Sequence, residues 1–547
     1  MLFKTHDQPV EGDRQQGDVA VGEPVLATRG ALPVEGDPDL PAPVATRVTS
    51  RDVAALVGLV LLLAVLWGRA AGVWFWVDEG MSVGISSHAL SAIPHLLTHD
   101  GSPPLYYVLL HAWMAVFGSS EPATHLLSLL AALATVPVGL WAGWSLRDRR
   151  TGWILAVLLG LNPFLATYAN ETRMYSLVVL FGLLTVATFA HAFVLRRRHY
   201  VPAFALSLTL LAYTHNWGLL LGVGAGVALM VCAFTSPEPR RVLLDGVLAF
   251  GAVAVAYLPW VPTLLTQIAH TGAPFSQPPT LERARSDILA VFGDPVAVVA
   301  LGLGAGAALV GILRPPWDRR SLGIVVATVI PSVALAVGWL FSRQDSAWQV
   351  RYLAVIVGPV LLVLAAGLAG GGRGAVAALA IYGMLAGPIA VKHPRTEKSD
   401  IKVVADRLGP TLRPGDLVVT DFGRVPVLAY YFPPGLRYAE STGLVADERA
   451  SDQSDGTARL RQSDPTRTVK PLLDTVAPGG HVAVICPAMA YLKPDDTEFV
   501  QLIYRRCQES KAVVAADPRF RLDDHRDTDA GIDTIYAPVT SDLFTRI

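Results

Sequence analysis

The chain is poor in charge. Only 16% of its 547 residues are Asp, Glu, Lys or Arg, 52% are hydrophobic, and the mean hydropathy is +0.44. Those values exclude an ordinary soluble globule and point to a polytopic membrane protein. It also lacks an excess of either sign: 44 basic against 45 acidic residues leave a net charge of -1, without the basic field that a nucleic-acid partner would require. Cysteine is scarce, with three residues and no zinc-type Cys/His spacing. Residues 1–50, rich in Pro, Gly, Asp, Glu and Val, show neither an apolar core segment nor the basic-then-apolar pattern of a secretory signal. They are expected to form a disordered cytoplasmic tail.

What charge there is falls in a pattern. Arg147-Asp148-Arg149-Arg150, Arg196-Arg197-Arg198-His199, Arg240-Arg241, Arg314 with Arg319-Arg320, and the weaker Gly371-Gly372-Arg373 separate apolar runs. The positive-inside rule places all five on the cytoplasmic face. The first run, Val53 to about Gly72, is long enough to span. Leu105 to Phe117 is too short, and its His111, Tyr106, Tyr107 and Trp113 suit an amphipathic helix on the outer surface. Further crossings are expected near 123–146, 151–167, 174–195, 201–214, 218–234, 242–258, 288–313, 321–341, 353–369 and 375–391, about eleven in all at roughly 20 residues each. An odd count puts residues 392–547 outside. Asp416–Thr420 and His481–Ile485 read there as buried strands, and Pro471–Val476 and Glu498–Arg506 as helices.

The expected architecture is therefore an α-helical polytopic membrane protein, with a membrane domain over 51–391 and a small α/β extracytoplasmic domain over 392–547. The location is the plasma membrane, multi-pass, with the N-terminus cytoplasmic. Cys232 falls in a crossing. Cys486 and Cys507 fall in the outer domain, where a bridge would persist, although spacing leaves their pairing open.

This topology sorts the notable polar residues to the outer face. Asp78 and Glu79 follow Val73-Trp74-Phe75-Trp76-Val77, and His99-Asp100-Gly101-Ser102-Pro103-Pro104 lies in the same loop. Asn170-Glu171-Thr172-Arg173-Met174-Tyr175, Thr214-His215-Asn216-Trp217, Pro259 to Asp287 and Arg343 to Tyr352 complete the set. Taken singly, each is more often a solvated loop residue than a functional one. Together they give acids, cations and aromatics on one face, which suits chemistry on a charged lipid. An acceptor hydroxyl needs a carboxylate to take its proton. A departing phosphate needs a cation, and Arg binds it through two parallel hydrogen bonds.

At Asp78-Glu79, Gly101-Ser102-Pro103-Pro104-Leu105-Tyr106-Tyr107, Asn170-Glu171-Thr172-Arg173-Met174-Tyr175 and Tyr213-Thr214-His215 the chain resembles glycosyltransferase family 39 of the GT-C superfamily, which includes protein O-mannosyltransferases and lipid A aminoarabinose transferases. The resemblance covers about residues 53 to 391 and more loosely Asp400 to Tyr431. It implies inverting transfer of mannose or a similar pentose or hexose from a polyprenyl-phosphate donor to a lipid, glycan or protein acceptor on the outer face. Carried onto this chain, the expected catalytic residues are Asp78 as general base, Glu79 beside it and Glu171 as the second acid; Asp100, Arg173, Tyr175, His215 and Arg351 are expected to bind substrate. The sequence departs from its relatives at His125, where they usually carry arginine, and at Ser102, where a histidine is frequent. No cofactor is called for, and the loop carboxylates suit either a bare base or a divalent-cation site. Two rival readings share the helix count: a transporter or flippase of polyprenyl-linked lipids, and a non-catalytic sugar-lipid binding protein. A transporter would place its ionisable groups near the bilayer midplane, on broken helices.

Overall fold

The computed structural model describes residues 48–344, 347–392, 396–528, 536 and 538–547. The expected tail lies outside them except for residues 48–50.

The membrane part opens with α1 (Ser50–Gly68), whose first turn is fixed by a reciprocal cap: Asp52 N donates to Thr49 Oγ1, and Thr49 N to the Asp52 carboxylate. Three short helices follow, α2 (Val77–Ser86), α3 (Ile93–Asp100) and α4 (Leu105–Phe117). The bundle continues through α5 (Glu121–Leu146), α6 (Arg149–Gly160), α7 (Pro163–Tyr168), α8 (Tyr175–Phe189), α9 (Val201–Thr214), α10 (Trp217–Thr235) and α11 (Pro239–Tyr257). After α12 (Val261–His270) and α13 (Leu281–Ala290) it closes with α14 (Pro295–Leu313), α15 (Arg319–Ser342), α16 (Ala354–Gly370) and α17 (Gly372–Lys392).

Among the described residues nine helical stretches are long and apolar enough to cross a membrane. The two further crossings expected, 151–167 and 201–214, fall on α6 with α7 and on α9. These are shorter, at 12, 6 and 14 residues, and are not among the nine. The expected crossing 151–167 is broken because Asn162 caps a new helix at Pro163. The stretch 288–313 is likewise divided, at Gly293 (φ 116°) and the Asp294 cap of α14. The outward surface is apolar, with Val57, Leu61, Leu248, Val255 and Leu303 among its exposed side chains, as a lipid-facing bundle requires.

The two ends of the bundle differ in kind. At one, Arg149 bonds Asp52 at 2.6 Å, Arg150 donates to Ala369 O, and Arg198 bonds Asp245 at 2.6 Å, so the basic loops gather there. At the other, Asn216 Nδ2 donates to Gly101 O, Asn162 Nδ2 to Val291 O and Gln267 Nε2 to Leu97 O, gathering the acid-bearing loops.

On that second end sits the C-terminal part: α18 (Ile401–Leu408), β1 (Leu417–Thr420), α19 (Val425–Tyr431), β2 (Arg437–Glu440), β3 (Gly443–Leu444), α20 (Gly456–Gln462), α21 (Pro465–Thr468), α22 (Lys470–Leu473), β4 (His481–Pro487), α23 (Glu498–Ala515), β5 (Phe520–Arg526) and β6 (Val539–Arg546). The sheet order is β3-β2-β1-β4-β6-β5. β2, β1 and β4 are parallel, with Val419 opposite Val484, and the remaining pairs are antiparallel. Alternation along β1 sends Val418 into a core with Ile401, Val404 and Leu428, and Leu417 and Val419 into one with Val514 and Phe520. Both faces are thus covered, as buried parallel strands require. The expected strands at 416–420 and 481–485 are β1 and β4. The helix expected at 498–506 runs on to Ala515, whereas the one at 471–476 forms only the short α22. Cys486 on β4 and Cys507 on α23 are joined by a disulfide with their Cα atoms 5.7 Å apart.

The sheet domain grips α2 closely. Phe75 and Val83 belong to its core, and a side chain on Gly80 or Gly84 would collide with Val427 or the Arg449 carbonyl.

Candidate active site

Asp78 and Glu79 occupy the first turn of α2, where the helix dipole favours negative charge. Glu79 reaches back to accept from Trp76 N at 3.3 Å, which fixes the entry of the chain into the helix. One turn on from Asp78, Ser82 Oγ donates to Asp78 O at 2.9 Å and accepts from Arg173 Nη1 at 3.1 Å. Glu79 lies in the adjacent row, which continues to Val83 under the sheet.

Around Asp78 the contacts are loose. Arg173 Nη2 and Arg351 Nη2 stand 3.8 and 3.7 Å from its Oδ2, beyond direct hydrogen-bond distance, and 16% of its side chain is exposed. Arg173 comes from the turn between α7 and α8, where it also donates to Tyr107 OH at 3.2 Å. Arg351 comes from the turn before α16 and lies over the rings of Trp76, Phe275 and Tyr352. Tyr175 OH, Glu171 Oε2, Arg173 Nε and Arg351 Nε are buried without a hydrogen-bond partner among the described residues. Glu171 uses its other oxygen to accept from Trp76 Nε1 at 3.1 Å. Burial raises its carboxyl to about 7; Lys398 opposes that rise, while Glu79 and Asp78 add to it. His215 accepts from Trp217 N through Nδ1, and burial, then Arg173 and Arg351, push it down to about 3, so it is a neutral ring wedged between Tyr175 and Tyr352.

Around Glu79 the contacts are saturated. Oε1 accepts from His125 Nε2, Thr172 N and Lys398 Nζ, each at 2.7 Å, and Oε2 from Lys398 Nζ at 2.7 Å as well as Trp76 N. The side chain has no exposure. Burial would raise its carboxyl, but Lys398 and then His125 outweigh that and hold it down at about 2.

No protein-family model and no curated protein matches the sequence. Solved structures do. ArnT from Cupriavidus metallidurans bound to undecaprenyl phosphate superposes with a TM-score of 0.58 at 14% identity, over 90% of this chain and 98% of that one. The archaeal oligosaccharyltransferase AglB from Archaeoglobus fulgidus, in complex with an inhibitory peptide and a dolichol-phosphate, gives 0.55 at 8% identity, over 88% and 80%. The arabinofuranosyltransferase AftD from Mycobacteria gives 0.52 at 14% identity, over 91% of this chain and 41% of that one. All three are GT-C proteins. The chain has the GT-C fold.

Within this GT-C fold Asp78, Glu171, Arg173, Tyr175, His215 and Arg351 converge. Asp100 stands one residue back, accepting from Tyr107 OH at 3.0 Å. Glu79, expected to be catalytic beside the base, has both oxygens occupied and no exposed surface, so it is placed to hold rather than to react. Among the described residues no group of three or more His, Cys, Asp or Glu side chains could hold a metal ion. At Glu79 the position a cation would take is filled by an ammonium, so the residues there do not fit a divalent-ion site.

Four partners escape sequence reading. Lys398 sits in a polar stretch, Glu397-Lys398-Ser399-Asp400, that looks like a linker. Tyr536, whose ring stacks on Trp76 at 3.8 Å, carries no motif. Ser82 and Tyr107 carry signals only in hindsight: one is four residues from Asp78, the other lies in the Pro-Pro-Leu-Tyr-Tyr helix start.

Proposed function

We propose that this chain is a membrane glycosyltransferase that moves a sugar from a polyprenyl-phosphate carrier to an acceptor hydroxyl on the extracytoplasmic face. One observation carries the reading: a part-exposed carboxylate, Asp78, held loosely between two guanidiniums and beside Tyr175 and Glu171 oxygens that are unpartnered among the described residues, on a GT-C fold. The ArnT and AglB neighbours with bound undecaprenyl phosphate and dolichol-phosphate support a lipid-phosphate donor. The Cys486–Cys507 disulfide supports an oxidising compartment for the sheet domain, and hence for the end of the bundle it covers.

In the step itself, the acceptor oxygen forms a bond to the anomeric carbon as its proton passes to Asp78. The bond between that carbon and the phosphate oxygen breaks, and its electron pair leaves with the phosphate. Arg173 and Arg351 neutralise the growing charge through guanidinium hydrogen bonds. A single displacement from the face opposite the phosphate inverts the anomeric centre. Glu171, its carboxyl raised to about 7 by burial, presents in its neutral form an oxygen unpartnered among the described residues to the acceptor, without adding a third negative charge.

Transfer from radiolabelled polyprenyl-phosphate sugars in membranes tests this. Asp78→Asn is expected to lower the rate by about 10²–10⁴-fold, the usual worth of a positioned base. A fully active variant would remove the base. Orientation is checked by cysteines at two exposed sites, Ser91 near the site and Arg240 at the opposite end. An impermeant thiol reagent added outside should label the first and not the second; the native cysteines are quiet, one buried and two bridged.

A further inference from the structure

We infer that Lys398, contributed by the segment joining α17 to the sheet domain, is a positioning residue of the transferase site, and that docking of the sheet domain completes that site. The inference rests on the reading of Asp78 as the base.

Lys398 is 5% exposed, and its Nζ bonds both oxygens of Glu79 at 2.7 Å and Asn170 O at 2.8 Å. Each partner is the immediate neighbour of a reacting group: Glu79 follows Asp78 on α2, and Asn170 precedes Glu171 and Arg173 in the turn before α8. One ammonium therefore ties the element that carries the base to the element that carries a phosphate-facing guanidinium and the second acid. The residues on either side strengthen the tie. Glu397 Oε2 accepts from Trp74 N at 2.9 Å, and Lys398 O accepts from Tyr536 N. Tyr536 stacks on Trp76, whose indole N–H holds Glu171. Thus 397–398 and Tyr536, all outside the bundle, brace 74–79 along its length.

The bundle alone supplies only part of what Glu79 needs. His125 gives one ring N–H, with its other nitrogen turned to Ala71 O at 2.7 Å, and Thr172 gives a backbone N–H. The ammonium comes from the other domain. A bonded carboxylate on α2 leaves Asp78 little freedom to turn, and a misplacement of about 1 Å in a catalytic group costs on the order of 10²-fold in rate.

The test uses the full-length chain in membranes or detergent, with wild type, Asp78→Asn, Lys398→Met, and the double variant Glu79→Gln/Lys398→Met. In the double variant no charge is left buried and unpaired, so the fold is kept even if the single change harms it. Lys398→Met and the double variant are both expected to lower kcat by about 10²-fold while the donor KM stays within about twofold. A second signature comes from pH. Burial is the largest influence and raises the Glu171 carboxyl; of the charged and titratable groups that face it, Lys398, Glu79, Asp78, Arg173, Tyr168 and Tyr536, Lys398 is the chief one holding it down. In Lys398→Met any alkaline limb owed to Glu171 therefore moves to higher pH, which a purely structural defect would not do. The role is overturned if Lys398→Met keeps kcat within threefold of wild type, or if the double variant recovers wild-type kcat, since Lys398 would then only neutralise Glu79. Wild-type transfer with a fully active Asp78→Asn, or no transfer at all, instead sinks the assignment of the base and the positioning role with it.

Discussion

On the bundle side of α2, Asp78 stands 3.7 and 3.8 Å from two guanidiniums with 16% of its side chain exposed. One residue later, between the bundle and the sheet domain, Glu79 is wholly buried and takes five hydrogen bonds from four groups, Trp76, His125, Thr172 and Lys398. The same functional group is thus kept available in one place and saturated in the other. Loose pairing leaves lone pairs and N–H groups free for a substrate. A saturated, dry carboxylate offers none, and its removal strands the Lys398 ammonium where water cannot reach it. The proposed reactive carboxylate and the buried, fully bonded one are adjacent residues, separated by the rotation of a single helix.

The contrast predicts opposite phenotypes, and this is the largest effect expected. Asp78→Ala should abolish transfer and leave thermal unfolding in detergent almost unchanged. Glu79→Ala should cost about 3–5 kcal/mol of stability, because Lys398 loses its counter-charge and His125 Nε2 its acceptor in a buried site. Equal melting temperatures for the two variants would break the division.

A smaller effect, of order tenfold in rate, concerns Glu171, which lies between the two regions. Its carboxyl is raised to about 7 from an ordinary 4.5, so it binds a proton over a range where a free glutamate does not. As pH rises through 7 the proton is lost, and a third negative charge appears beside Asp78 and the departing phosphate. Transfer by the wild type should therefore fall above pH 7. Glu171→Gln, fixed in a neutral form, should be flat over that interval in the same assay; an unchanged alkaline limb would show that another group titrates.

The division between the two sides was only half legible in the sequence. Hydropathy and the basic loops located the helices well, since a bilayer demands long apolar runs and the run at Leu105–Phe117 was recognisably too short. The convergence of Asp78, Glu171, Arg173, His215 and Arg351 followed from counting crossings, because odd and even loops must collect at opposite ends. Glu79 could not be separated from Asp78 on that basis, as parity places both at the same end and says nothing of which way a side chain turns. Lys398 was hidden for a different reason: it lies 319 positions from Glu79, and a single lysine in a polar segment has no periodicity to betray a buried partner. The helix breaks at Asn162 and Gly293 were missed because apolar runs continue through them.

The smallest effects belong to the rim of the interface that has Lys398 at its centre. Three histidines of the membrane part face one segment of the sheet domain: His88 bonds Asp447 at 2.8 Å, His99 lies 3.5 Å from Asp452, and His270 lies 3.2 Å from Asp455. They look like a clasp, but the three aspartates are 40%, 52% and 55% exposed, and water and salt screen such pairs. Each of Asp447→Asn, Asp452→Asn and Asp455→Asn should therefore cost less than about 1 kcal/mol, and added salt should shrink the cost further. Backbone bonds that the substitutions leave in place, Gln453 N to His99 O at 2.9 Å and Asp455 N to His270 O at 2.7 Å, keep the segment seated. If a single rim substitution destabilises the protein as much as Glu79→Ala in the same unfolding measurement, the docking energy is spread over the interface, and Lys398 with Glu79 is no longer its centre.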